Sequence, residues 1–248
     1  MAAGDRDDIT PVRHVDVTSA GAIPATAVRP TEPYLKTERT PFMACFIIGA
    51  GSFYGLPVPV QRTDMVIAAD GGWHTCRENG ITPTLLVADF DSLDAAPAFD
   101  HILRLPVEKD DTDMIRAVKE GFDRGEREFH LLGGMGGHRT DHTVANMQTL
   151  AYIARRGGQG WLYGNGERFT AICDGGEITL TAGRNSVFSV FCLGADAEGV
   201  TIENAKYPLT DAVLTADFPL GVSNHFIGQA VRVAVRRGCL LIGITDKE

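Results

Sequence analysis

The chain has 248 residues, 44% of them hydrophobic and 22% charged, enough apolar material for a substantial core in one large domain or two smaller ones. A formal net charge of −9 with no cluster of Lys and Arg argues against a nucleic-acid reader, which needs basic side chains to displace counterions from phosphates. No apolar run reaches the roughly 18 residues of a membrane helix and no basic-then-apolar leader opens the chain, so a cytoplasmic protein without membrane contact is expected.

Residues 1–43 mix Pro, Thr, Ala and charges without an apolar period and read as a flexible extension, with Met43 offering an alternative start. From Cys45 onward the unbroken apolar runs "CFIIGA", "MVIAAD", "LLVADF", "FHLLGG" and "WLYGN" predict buried strands of a parallel sheet. Helices are expected between them. In "DTDMIRAVKEGFDRG" Ile115, Val118 and Phe122 recur at helical spacing, with Thr112 or Asp111 as cap and Gly125 as stop. In "TDHTVANMQTLAYIARRGG" the expected apolar stripe is Val144, Met147, Ala151 and Ala154. Strands alternating with helices imply a doubly wound, Rossmann-like α/β domain over 44–163. From Arg168 the helical period disappears and short β-rich runs follow ("RFTAIC", "EITLTA", "SVFSVFCL", "VTIENA", "QAVRVAVRR", "CLLIGI"), predicting a β-sandwich over 164–248. The five cysteines show no C-x-x-C spacing and stand in apolar surroundings, so they read as buried free thiols.

Asp89 and Asp91, in "ADFDS", point to one face at the carboxyl end of a predicted strand, the end at which open parallel sheets bind ligands. Two carboxylates that close repel unless a cation lies between them, and hard oxygen donors suit Mg²⁺; alternatively one caps a helix and the other is solvated. "EKDDTDM" gathers Asp110, Asp111 and Asp113 at a helix entry with Thr112, which reads either as a cap or as a metal–phosphate site. "LLGGMGGHRTDHT" follows a strand and opens a helix, so Gly136 and Gly137 admit a ligand close to the backbone while the helix amides and Arg139 attract anionic oxygens. Asp141 and His142 can fix that arginine or a metal's water shell, and helix capping accounts for Asp141 nearly as well. Asp70, Gly71 and Gly72 in "AADGGW" fit a ligand turn or a tight strand-to-helix turn, and "GAGSFYG" at 49–55 reads mostly as a turn. Taken alone, "GVSNHF" with Ser223 and Asn224 reads as a hairpin turn.

In this order, "AADGG", "ADFDS", "KDDTD", "GGMGGHRTDH", "YPL" at 207–209 and "GVSN" at 221–224 resemble the thiamine pyrophosphokinase family over roughly residues 46–245. The family's glycine before the aspartate pair is Ala88 here, and His138 replaces a glycine or is inserted. The resemblance implies a Mg²⁺-dependent transfer of pyrophosphate from ATP to the hydroxyl of thiamine, releasing AMP, in a homodimer with an α/β domain and a β-sandwich. It further implies Asp89, Asp91 and Asp113 as metal ligands and catalytic residues together with Arg139. Asp70, Gly71, Gly72, Asp110, Thr112, Gly136, Gly137, Asp141 and His142 would address ATP, while Ser223 and Asn224 would hold thiamine. Rival readings are a pyrophosphokinase acting on another alcohol such as a pterin, a D-x-D phosphohydrolase, and a non-catalytic nucleotide or thiamine sensor.

Overall fold

The computed structural model describes residues 44–88, 99, 101–104, 110–137 and 139–246. The first half contains strands β1 (Ala44–Ile48), β2 (Met65–Ala69), β3 (Leu85–Ala88), β4 (Ile102–Arg104), β5 (Glu128–Leu132) and β6 (Gln159–Tyr163). Its helices are α1 (Gly72–Glu78), α2 (Asp113–Asp123) and α3 (Thr140–Arg155). Strands β7 (Glu167–Cys173), β8 (Glu177–Leu180), β9 (Val187–Cys192), β10 (Ala197–Glu203), β11 (Leu209–Leu214), β12 (Gly221–His225), β13 (Val231–Ala234) and β14 (Cys239–Thr245) complete the chain. The five apolar runs expected as strands form β1, β2, β3, β5 and β6; α1, β4 and β11 had no clear signal of their own, and "GVSNHF", read as a hairpin turn, forms strand β12 against β9.

Strands β1 to β6 pair in parallel in the order β6-β5-β1-β2-β3-β4. Both faces are covered: Cys45 and Ile47 pack with α2 and α3 on one side, Phe46 and Ile48 with α1 on the other. That double burial is why these strands lack polar alternation. The chain proceeds from β1 to β2 to β3 in one direction and returns to place β5 on the other side of β1. The strand order therefore reverses between β1 and β5, and the loops leaving those two strands diverge to open a crevice.

At β6 the sheet changes character. β7 pairs antiparallel with β6, and β14, β9 and β12 continue the same sheet to a total of ten strands. A four-stranded antiparallel sheet, β11-β10-β13-β8, packs on this second half. Phe188, Val200, Val233 and Ile242 contribute to a core distinct from that of the α/β half. The sheet runs on through the turn at 164–166, and the cores overlap across it: Ala171 and Leu241 pack with α2 and α3, while Trp161 packs on the β core.

Two expectations are corrected. The buried stripe of α3 is Asn146, Thr149, Leu150 and Ile153, whereas Val144 is exposed. The apolar-only criterion rotated the helix because two polar residues on its inner face are satisfied internally: Asn146 donates to the Gly134 carbonyl and the Thr149 hydroxyl to Ala145 O. Second, Cys173 and Cys239 form a disulfide rather than free thiols. They are 66 residues apart in sequence, and the antiparallel register of β7 and β14 sets them opposite each other, which no local spacing announces. Closing a loop of that length restricts the unfolded chain, so Cys173→Ser is expected to lower the unfolding free energy by about 2–4 kcal/mol, read as a lower urea midpoint without reductant. An unchanged midpoint would show that the bond contributes nothing. Cys45 and Cys76 are buried thiols, as expected, and burial pushes the Cys76 thiol up to about 11. No helix among the described residues is long and apolar enough to cross a membrane.

Candidate active site

A cavity of about 610 Å³ occupies the crevice at the carboxyl ends of β1, β2 and β5, within the size range of small-molecule sites. A second cavity, of about 540 Å³, lies at the amino ends of β2, β3 and β4 and has neither a glycine turn nor a helix N-terminus in its lining. The crevice has both, the two features that suit a cavity to anionic oxygens.

Three segments build it from the α/β side. Asp70 directly follows β2 with φ +46°, a left-handed conformation that an aspartate adopts at some cost and that is often kept for function. Thr112 caps α2, its Oγ1 accepting from the Ile115 N–H at 3.3 Å, and Asp113 is the first helical residue. Asp70, Thr112 and Asp113 all face the cavity. Asp111 pairs instead with Lys119 at 2.6 Å, and Asp110 is exposed away from the lining.

The opposite wall is the turn after β5. Gly136 and Gly137, at φ +77° and +79°, line the cavity, followed by Arg139 and His142 at the start of α3. The Arg139 guanidinium grips Asp141 with two hydrogen bonds, Nε to Oδ1 at 2.9 Å and Nη2 to Oδ2 at 2.7 Å. That bond pulls the Asp141 carboxyl down to about 2, so the pair stays ionised in the neutral range. Both side chains are largely exposed, and the pair orients the arginine at the rim more than it stabilises the fold. Asp141 thus serves the arginine and does not itself line the cavity.

The other expected residues fall elsewhere. Gly71 and Gly72 are packing glycines: a Cβ at Gly72 would overlap the Ile48 carbonyl, and one at Gly71 would lie 2.8 Å from the Ala50 Cβ. Ser223 and Asn224 are on β12, where Asn224 is buried and spent on the backbone of Tyr207: its Oδ1 accepts from the Tyr207 N–H at 3.0 Å and its Nδ2 donates to the Tyr207 carbonyl at 2.7 Å. The "YPL" and "GVSN" segments are therefore clamped together. Ser223 is exposed with φ +59°. Asp89 and Asp91 lie outside the described residues.

Sequence reasoning undervalued the "GAGS" loop. Gly49, Gly51 and Ser52 line the cavity, and the loop interlocks with the second glycine turn through Gly49 N–H to Leu132 O at 2.8 Å and Gly51 N–H to Gly133 O at 2.9 Å. Its place after the strand at the switch point was the available signal. Asn146, also in the lining, escaped because the expected stripe of α3 was drawn from apolar residues alone.

Two family models match the chain in succession: the catalytic domain of thiamin pyrophosphokinase over residues 59–159 and the vitamin B1 binding domain of thiamin pyrophosphokinase over residues 177–240. A thiamine pyrophosphokinase of Bacillus subtilis (strain 168) is 26% identical over 186 residues, spanning 71% of this chain and 85% of the relative. The crystal structure of thiamine pyrophosphokinase from Bacillus subtilis superposes with a TM-score of 0.71 at 23% identity, covering 83% of this chain and 100% of that one. The thiamin pyrophosphokinase of Geobacillus thermodenitrificans gives 0.69 at 24% identity, over 83% and 99% of the two chains. The yeast enzyme gives 0.62 at 12% identity, over 84% and 87%.

Proposed function

The chain belongs to the thiamin pyrophosphokinase family and is a pyrophosphotransferase with ATP as co-substrate, and we propose that the crevice between β1 and β5 is where the ATP polyphosphate is held and attacked by the thiamine hydroxyl. The observation that carries this placement is convergence. Asp70 and Asp113 on one wall face Gly136, Gly137, Arg139 and His142 on the other, across a cavity with two helix N-termini at its edge.

The donor set fits Mg²⁺. Among the described residues no group of three His, Cys, Asp or Glu is close enough to hold a metal, but a Mg²⁺ ion takes one or two carboxylates and completes its shell with phosphate oxygens and water. Asp70 and Asp113 supply two such carboxylates at the cavity, and by resemblance Asp89 and Asp91 add to them. Bound there, the ion would neutralise phosphate charge and hold the polyphosphate in line. The chain's own groups do the rest. Amides of the glycine turn and of the first turn of α3 bind anionic oxygens, and Arg139, fixed by Asp141, offers its remaining N–H donors to charge growing on the phosphate. Of the two acids at the entry to α2 that could take the hydroxyl proton, Asp113 faces the cavity and Asp110 does not.

Thiamine would be held by 164–248, nucleotide by 44–163, with 1–43 as an extension of the enzyme. Within one chain this division leaves a gap. β12, with Ser223, is the outer edge of the ten-stranded sheet, five strand intervals from β5, on the order of 24 Å at the usual spacing. That exceeds the reach of one thiamine molecule. Around the same edge Phe218, Leu220, Val222 and Ile227 expose their side chains, as does Tyr207. An apolar patch beside an open strand edge suits a second copy, and a homodimer in which β12 of one protomer faces the crevice of its partner closes the gap. Leu220→Glu combined with Phe218→Glu is expected to shift the protein from dimer to monomer in sedimentation and to remove activity; a fully active monomer would refute the shared site.

The deciding experiment mixes purified protein with ATP, Mg²⁺ and thiamine and identifies products by mass. Equimolar AMP and thiamine diphosphate are expected, with no AMP when thiamine is omitted. Phosphate release without an acceptor would favour the phosphohydrolase, a preference for a pterin alcohol the related kinase, and tight binding without AMP the sensor.

A further inference from the structure

We infer that Asn146 is a positioning residue that sets the shape of the glycine turn against which ATP binds, an inference that rests on the polyphosphate reading of the crevice. Asn146 lies on the inner face of α3, is 5% exposed and borders the cavity. Its Nδ2 donates to the Gly134 carbonyl at 2.8 Å. Among the described residues this is the one hydrogen bond made by any atom of residues 134–137. The four N–H groups of that turn therefore have no partner within the described chain, although Gly134 and Met135 are buried and Gly136 and Gly137 border the cavity. Unpaired amides beside a cavity are a ready anion receptor, but only if the backbone is held in one conformation. Flexible glycines at φ +77° and +79° do not hold themselves.

Asn146 supplies that restraint in two ways. Through its hydrogen bond it fixes the plane of the Gly134–Met135 peptide, and because that plane is rigid the Met135 N–H is directed opposite to the anchored carbonyl. By contact it walls the turn: a Cβ at Gly134 would lie 2.9 Å from Asn146 Nδ2 and 2.8 Å from Leu162 Cδ1, so the turn is seated on helix and strand together. The neighbouring buried polar residue, Thr149, is bonded within its own helix and reaches nothing in the turn. The role is specific to position 146.

Asn146→Leu keeps the side-chain shape and removes the donor without adding charge. Losing a hydrogen bond to a buried carbonyl is expected to raise KM for ATP about tenfold, while KM for thiamine stays within about twofold. Asn146→Gln, which retains the donor, should recover part of the loss, and Asn146→Ser, too short to span to Gly134, should repeat it if the leucine variant folds poorly. Calorimetric binding of ATP to wild-type protein with Mg²⁺ runs alongside. If wild type binds ATP and the Leu and Ser variants bind it equally well, or if both KM values rise together, the positioning role is overturned. If wild type itself binds no ATP, the polyphosphate reading falls and the inference with it.

Discussion

Asp113→Asn is expected to lower turnover by about three orders of magnitude, roughly 4 kcal/mol of activation free energy, with little change in melting temperature. The two halves of that expectation have separate grounds. Asp113 opens α2, but the cap is Thr112, whose hydroxyl accepts the Ile115 N–H. Removing the acid forfeits its favourable position near the helix N-terminus, worth about 0.3–1 kcal/mol. Asparagine preserves the volume, so packing beneath it, led by Met114 and Val118, is undisturbed. The chemical loss is larger because a neutral amide neither counters a cation nor accepts the hydroxyl proton. Asp110→Asn is the matched control: the same substitution on an exposed acid outside the lining should leave turnover within about twofold. AMP release at saturating ATP, thiamine and Mg²⁺ measures both. An Asp113→Asn enzyme within tenfold of wild type would remove that carboxylate from the mechanism, and an Asp110→Asn enzyme as impaired as Asp113→Asn would show that the cavity boundary is misplaced. By resemblance Asp89→Ala and Asp91→Ala should match the Asp113 loss.

What the sequence made legible depended on how local the responsible physics was. The parallel strands were readable because two-sided burial forces unbroken apolar runs, and the start of α2 because Thr112 is a good cap. The clustering of Asp70, Asp113, Gly136, Gly137 and Arg139 was inferable since each follows a strand or opens a helix, and all parallel strands end at the same edge. Where the controlling contact was distant, the reading failed. α3 was rotated because a buried Asn146 makes sense only once the Gly134 carbonyl is across from it, and Cys173 and Cys239 meet only through the register of β7 and β14. Gly71 and Gly72 illustrate a third difficulty. Glycine serves close packing and ligand approach equally well, and only the neighbours decide between them. For Gly72 the neighbour is the Ile48 carbonyl.

The same distinction divides the glycine-rich turn and gives the second large effect. Gly133 and Gly137 both sit at positive φ, +63° and +79°, so alanine at either pays left-handed strain of about 1–2 kcal/mol. They differ in what a Cβ would meet. At Gly133 it would overlap the Gly49 carbonyl, in the interlock of the two loops that forms the floor of the crevice; at Gly137 it would meet nothing within 4 Å. Gly133→Ala must therefore also push the loops apart, adding about 1–3 kcal/mol of overpacking, and is expected to melt well below wild type and to lose ATP binding as a consequence. Gly137→Val should melt a few degrees below wild type, since only the backbone strain is new. Its branched side chain, however, projects where the polyphosphate would lie, and kcat/KM for ATP should fall on the order of a hundredfold. The pair is read by thermal melts and steady-state kinetics on the same preparations. A Gly137→Val enzyme of normal activity would mean that the open space beside this turn is not where substrate sits. A Gly133→Ala protein as stable as Gly137→Val would mean that the two loops are not locked by their backbones, and the crevice would then need another explanation for its shape.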